Sequence, residues 1–142
     1  MSELESIESQ IDNLNAQLKE LRRKKCELSQ SSFGAMVAEV FKLSDEIESI
    51  GWEQYTPYFN DGDTCEFSVH SDTESLIIND EHVWDFSYDD KERYARLEPA
   101  LEKMSSILDK IGEETLLDMF EDHATITVFR NGKVSVDECS HD

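Results

Sequence analysis

The sequence has little positive charge outside its first quarter. Of 142 residues, 13 are Lys or Arg and 33 are Asp or Glu, a formal net charge of −20. Residues 1–32 hold six acids (Glu3, Glu5, Glu8, Asp12, Glu20, Glu27) and five bases (Lys19, Arg22, Arg23, Lys24, Lys25), a net of −1. That leaves 27 acids and eight bases, or −19, on residues 33–142. Each carboxylate facing a phosphate repels it, so direct binding to nucleic acid or to an anionic membrane is disfavoured. Basic proteins are the better partners.

Other absences narrow the chemistry. No apolar run approaches the roughly 20 residues that span a bilayer, and the N-terminus lacks a basic-then-apolar leader pattern, so the expectation is a soluble cytoplasmic protein, in host cytoplasm if phage-encoded. Three cysteines (Cys26, Cys65, Cys139) are an odd number without close pair spacing, which reads as reduced thiols. There is no GxSxG elbow and no phosphate-binding Gly-rich loop. Pairs of Cys65 or Cys139 with His70, His82 or His123 carry no more than chance spacing for a nucleophile and base. Glu138-Cys139-Ser140-His141, and Cys65 with His70, could supply soft ligands, but no CxxC or HxxxH pair announces zinc. These absences point to a non-enzymatic protein with no cofactor and no catalytic or metal residues.

What is present is periodicity. Leu4, Ile7, Ile11, Leu14, Leu18, Leu21 and Leu28 recur at 3- and 4-residue intervals, a heptad stripe missing only the place of Lys25. With Leu4, Ile11 and Leu18 at a, and Ile7, Leu14, Leu21 and Leu28 at d, the seam runs about four heptads, roughly 40 Å. It could fold back on its own domain, but the period favours a homodimeric coil through this N-terminal stem. The Arg22–Lys25 cluster reads as charged coil, or as a dock for an acidic body.

Ser29–Ser32 and Gly34 are expected to interrupt the stem, and a second stripe (Met36, Val40, Leu43, Ile47, Ile50) to end at Gly51 as a helix C-cap. Cys65, Phe67 and Val69 alternate with polar residues and Leu76–Ile78 form a short apolar run, which reads as two strands joined at His70–Thr73, with a further strand around His82–Phe86. Ser87 with Asp90 resembles a helix start, and Tyr94, Leu97, Leu101, Met104, Leu108 and Ile111 mark a long amphipathic helix that Pro99 should kink or restart. A shorter helix carries Leu116, Leu117, Met119 and Phe120. Asn131-Gly132 between Thr125–Phe129 and Lys133–Val136 predicts a two-residue type I′ hairpin. The fold class expected is α+β: an N-terminal coiled-coil helix (1–32), then an acidic domain (33–142) with an antiparallel sheet covered on one face by helices.

Residues 51–67, GWEQYTPYFNDGDTCEF, concentrate Trp52, Tyr55, Tyr58 and Phe59 before a turn at Asn60-Asp61-Gly62-Asp63. This string resembles a WxxYTPYFNDGDxCxF segment of uncharacterised bacterial and phage proteins; it covers about an eighth of the chain and implies no activity. As an aromatic anchor, Trp52 and Tyr58 hold the second helix to the sheet. An EF-hand reading with Gly62 sixth fails, because the first, third and twelfth places fall on Pro57, Phe59 and Ser68. An irregular cation site at Asn60, Asp61, Asp63 and Glu66 stays open.

A 110-residue body is roughly 34 Å across, a length over which B-DNA carries about 20 phosphates, close to −19. Candidate acids off the long-helix stripe are Asp89, Asp90, Glu92, Glu98, Glu102, Asp109, Glu113, Glu114, Asp118, Glu121 and Asp122. The functional expectation is an acidic binding protein, in its sharpest form a phage or mobile-element inhibitor that mimics DNA and blocks a basic, nucleic-acid-binding host protein. The alternative is a coiled-coil assembly or accessory protein whose acidity serves solubility.

Overall fold

In the computed structural model, residues 3–56 and 66–138 are described. The chain begins with one helix, α1 (Glu3–Lys42), of 40 residues and about 60 Å. The expected interruption at Ser29–Ser32 and Gly34 does not occur. Gly34 is exposed, and a side chain there would meet nothing within 4 Å, so it costs only its propensity penalty of about 1 kcal/mol. Acidic Glu3 and Glu5 in the first turn and Lys42 in the last suit the helix dipole.

α1 stops at Lys42, not at Gly51. Arg130 clamps the helix end to the connection after it: its guanidinium donates to the carbonyls of Phe41 in the last turn (3.2 Å) and of Ser44 (2.5 Å) and Ile47 (2.6 and 2.9 Å) beyond it. Asn79 holds the same connection from the other side: its Oδ1 accepts from the Glu48 and Ser49 N–H groups, and its Nδ2 donates to the Glu46 carbonyl. Ile47 and Ile50, read from sequence as helical, are fully buried but lie beyond the helix, Ile50 in strand β1 (Ser49–Tyr55). Gly51 sits inside that strand because a Cβ there would lie 2.3 Å from the Ile126 carbonyl oxygen.

Strand β1 is the centre of an antiparallel sheet. β2 (Ser68–Val69) and β3 (Ile77–Ile78) pair with opposite ends of one edge, and β5 (Ala124–Phe129) pairs with the other. β4 (Glu81–His82) extends the sheet beyond β3, and β6 (Val134–Glu138) beyond β5. The strand expected at His82–Phe86 therefore ends at His82, and a short helix, α2 (Trp84–Ser87), follows. Asp90, rather than Ser87, caps α3 (Lys91–Ile111) by accepting the Arg93 N–H. α3 runs unbroken through Pro99, where Ala95, whose carbonyl loses its helical donor, is exposed to water. α4 (Glu113–Phe120) follows Gly112, which has φ 89°.

The β5–β6 hairpin forms, but with a different turn. Only Gly132 has positive φ (93°), the Gly132 N–H bonds the Phe129 carbonyl, and the Phe129 N–H bonds the Lys133 carbonyl. This is a three-residue loop closed by a left-handed glycine. Arg130, bound to α1's end, and the Asn131 side chain, which accepts the Lys133 N–H, hold the two residues before that glycine.

Alternation along β1 and β5 puts Ile50, Trp52, Ala124, Ile126 and Val128 on one face, against Phe33, Val37, Val40 and Phe41 of α1, the α3 stripe and Leu116 of α4. The α+β architecture of a long N-terminal helix followed by a helix-covered antiparallel sheet is thus present. Trp52 is fully buried, edge-to-face with Phe33 (5.9 Å) and Phe120 (5.6 Å). Its indole N–H donates to Gln54 Oε1 (3.0 Å), while Gln54 Nε2 donates to the carbonyls of Leu116 and Glu121. β1 is thereby stitched to the end of α4. Trp52 anchors the core from a strand, whereas Tyr58, Phe59 and the Asn60–Asp63 turn, with Cys65, lie outside the described residues.

Trp52→Ala should cost about 3–5 kcal/mol, the range for a buried aromatic truncation, measured by urea denaturation. Arg130→Ala, which frees three buried or half-buried carbonyl partners, should cost about 1.5–3 kcal/mol in the same assay; a change under 0.5 kcal/mol would sink the clamp.

Candidate protein-interaction surface

Among the described residues nothing covers the heptad stripe. Leu4, Ile7, Ile11, Leu14, Leu18, Leu21 and Leu28 are each 50–67% exposed. The side of α1 that does enter the core carries Ser29, Phe33, Val37, Val40 and Phe41. At about 100° per residue, Phe33 is rotated roughly 140° and Val37 roughly 180° from Leu28. The seam and the core-facing stripe are therefore different faces of one helix. The body does not block the seam, and coiled-coil pairing itself needs a second chain.

Contact between stem and body begins at Arg22. Its Nε and Nη2 donate to the two Asp118 oxygens, both at 2.7 Å, and Nε lies 3.0 Å from Glu114. This bidentate pair holds the Asp118 carboxyl below its usual range, chiefly through the hydrogen bond from Arg22. Arg23 turns along the helix to Glu20 and Glu27. Lys24 and Lys25 form no ion pair among the described residues. The basic cluster thus docks through one of its four members.

All eleven candidate acids are exposed, yet they are not equivalent. Asp90 caps α3, Asp109 accepts the Ser71 hydroxyl (2.9 Å), and Glu113 accepts the Val69 N–H (3.0 Å). Glu114 and Asp118 hold Arg22, while Asp122 accepts from the Thr56 N–H and hydroxyl and from the His123 N–H. Burial pushes the Asp122 carboxyl up, and these hydrogen bonds more than offset it. The side-chain carboxylates of Asp89, Glu92, Glu98, Glu102 and Glu121 make no hydrogen bond or ion pair among the described residues. Neutralising Asp90, Asp109, Glu113, Glu114, Asp118 or Asp122 would therefore also remove a contact within the fold.

Nor does α3 present an acidic strip. It carries four acids (Glu92, Glu98, Glu102, Asp109) and five bases (Lys91, Arg93, Arg96, Lys103, Lys110). Two bases tie it to its neighbours, Arg93 to Glu81 (3.0 Å) and Arg96 to Glu46 (2.7 Å), and Arg96 holds the Glu46 carboxyl down by hydrogen bonding. The anionic excess lies elsewhere: residues 43–90 hold 14 acids and no Lys or Arg. Sequence reading that counted acids per helix without its bases missed this.

Two other surfaces escaped the sequence. Trp84, half exposed, stacks on His82 at 4.1 Å, and Tyr88 is 83% exposed. Val134 and Val136 of the edge strand β6 lie opposite Val128 and Ile126, hence on the core face, yet are 38% and 50% exposed. A cavity of about 320 Å³ between β2 and the α3–α4 junction is lined by Ser68, Val69, Ser71, Leu108, Asp109, Gly112 and Glu113. Its two carboxylates are the ones already bonded to Val69 and Ser71. Among the described residues no three His, Cys, Asp or Glu side chains converge as a metal ion needs, and no helix is long and apolar enough to cross a membrane. Cys139 and His141 lie outside the described residues, and Cys26 is a half-buried free thiol on α1.

No protein-family model matches this chain, and neither a curated protein nor a solved structure does.

Because Asp118 is depressed below its ordinary value of about 3.8, its pairing stabilises the fold fully above that pH and the contribution is lost as pH falls through the folded value. Asp118→Asn should therefore lower stability at pH 7 by chemical denaturation, and the gap to wild type should close as pH falls below the ordinary carboxylate value and through the folded one. A gap independent of pH would sink the assignment.

Proposed function

We propose that this chain is a non-enzymatic assembly or accessory protein whose N-terminal stem joins copies of itself, with the acidic body as the part displayed. The observation that carries the reading is the seam of seven exposed Leu and Ile side chains at heptad spacing, on a face of α1 that the body does not use. Water-exposed apolar stripes of that length are stabilised by another helix. Deleting residues 1–20 keeps Arg22, Ser29 and Phe33 in place, so the truncated protein should remain folded and become monomeric. Leu14→Asp with Leu21→Asp should do the same by placing charges at d positions. Light scattering with circular dichroism reads both outcomes. An oligomer that survives either change, or a full-length chain monomeric at about 100 µM, sinks the proposal.

A second reading has its own support. The run of 14 acids without a base over residues 43–90 suits a basic, nucleic-acid-binding protein, and a mimic of DNA would use that field in summed form. It predicts capture of such a protein that weakens with salt and is reversed by duplex DNA. Capture indifferent to duplex DNA leaves the acidity as a solubility device.

A further inference from the structure

The stem is electrically polar along its length. Residues 3–12 carry four acids (Glu3, Glu5, Glu8, Asp12) and no base, whereas residues 19–28 carry five bases and two acids, a net of +3. The seam spans both ends, from Leu4 to Leu28, and is exposed throughout. From this pattern we infer that two copies pair through the stem in antiparallel orientation, with the acidic bodies at opposite ends. The inference rests on the self-association proposed above and specifies its geometry.

Matching the seam to itself in reverse, with Leu14 against the partner's Leu18, puts Leu4 against the partner's Leu28 and Ile11 against the partner's Leu21. Ile7 then meets the partner's Lys25, the one break in the stripe. Glu8, at an e position, falls near Lys25 of the facing chain, with Arg22 alongside but already paired to Asp118 and Glu114, and symmetry repeats the contact. A parallel pair reverses each of these. Lys25 would face Lys25 in one core layer, and Glu3 at g would face Glu8 at e of the partner, like against like. The acidic ends would lie side by side, and so would the basic ends.

The body adds to the same preference. In a parallel pair two units of −19 would flank the same end of the coil. In the antiparallel register residue 33 of one copy lies about 50 Å along the axis from residue 33 of the other. That is several Debye lengths at physiological ionic strength, roughly 8 Å. The approach of the partner's acidic N-terminus to the body also has local relief. The nearest carboxylates on α4, Asp118 and Glu114, are already held by Arg22, and Lys24 and Lys25 remain to receive it.

The test uses the full-length protein. Small-angle X-ray scattering of the wild type should show a dimer with two lobes about 50 Å or more apart. Glu8→Arg, an exposed change that leaves the fold intact by circular dichroism, should raise the dimer dissociation constant roughly three- to ten-fold by sedimentation, since two attractive contacts become repulsive. In a parallel pair the same change would face Glu3 and lower that constant. A one-lobed dimer, a tighter Glu8→Arg dimer, or an oligomer larger than two overturns the antiparallel inference while leaving self-association standing. A wild-type chain that stays monomeric removes self-association itself, and the orientation with it.

Discussion

Everything in this molecule depends on α1 being a single rigid helix with two apolar faces that do not coincide. Its C-terminal part buries Phe33, Val37, Val40 and Phe41 in the core formed by the described residues, which fixes its direction. Its N-terminal part must then carry the heptad seam wherever that direction points. Because the seam is rotated by more than a quarter turn from the buried stripe, folding of the body cannot satisfy it. A break at Ser29–Gly34 would have let the stem fold back; continuity forbids it. Rigidity here is the source of unsatisfied surface, and unsatisfied surface of one period is what gives the chain a specific neighbour.

Charge is arranged around the same helix. The body's eight bases are too few to neutralise 27 acids; three of them join separate elements, whereas Lys42 pairs with Glu39 within α1. Arg93 and Arg96 on α3 reach Glu81 and Glu46 in the acidic 43–90 stretch. Arg130 spans the β5–β6 turn and the end of α1. Arg22, from the stem, reaches Asp118 on α4. As surface pairs these contribute little individually. Arg130, bonded to main-chain carbonyls rather than carboxylates, is the exception in kind, because it satisfies backbone groups that the end of α1 leaves open.

The parts legible in the sequence were those governed by local period. The heptad stripe predicted helix over the first 28 residues, the 3.6-residue stripe predicted α3 to within a residue at Ile111, and alternation found the β5–β6 hairpin. The misses share a cause: each was decided by a contact distant in sequence. Gly51 reads as a helix cap until the Ile126 carbonyl is seen to need the space. Asn131-Gly132 reads as type I′ until Arg130 is found committed to α1. Ile47 and Ile50 continue a helical spacing that Arg130 and Asn79 end five residues before Ile47. At the candidate surface, the exposed seam could be read directly, because a stripe with no complementary stripe of the same period elsewhere predicts its own exposure. The status of the acids could not, since whether Glu113 is a free charge or the acceptor for Val69 depends on how β2 meets α4.

The energetics explain why charge decides what the seam does. Full burial of a Leu or Ile stabilises by about 1.5–3 kcal/mol, and these side chains are one-half to two-thirds exposed, so each contributes on the order of 1 kcal/mol on pairing. Fourteen of them in a pair give about 14 kcal/mol, against an association cost of about 4–15 kcal/mol before any repulsion. At the upper end of that cost the margin is small, and Lys25 at an a position reduces it further. Contacts between Glu8 and Lys25, repeated by symmetry, then weigh against a thin surplus, although they would be negligible beside a long coil. A short seam on a strongly anionic chain is thus poised so that its hydrophobic stripe supplies the attraction and its charge polarity selects which arrangement of copies can form.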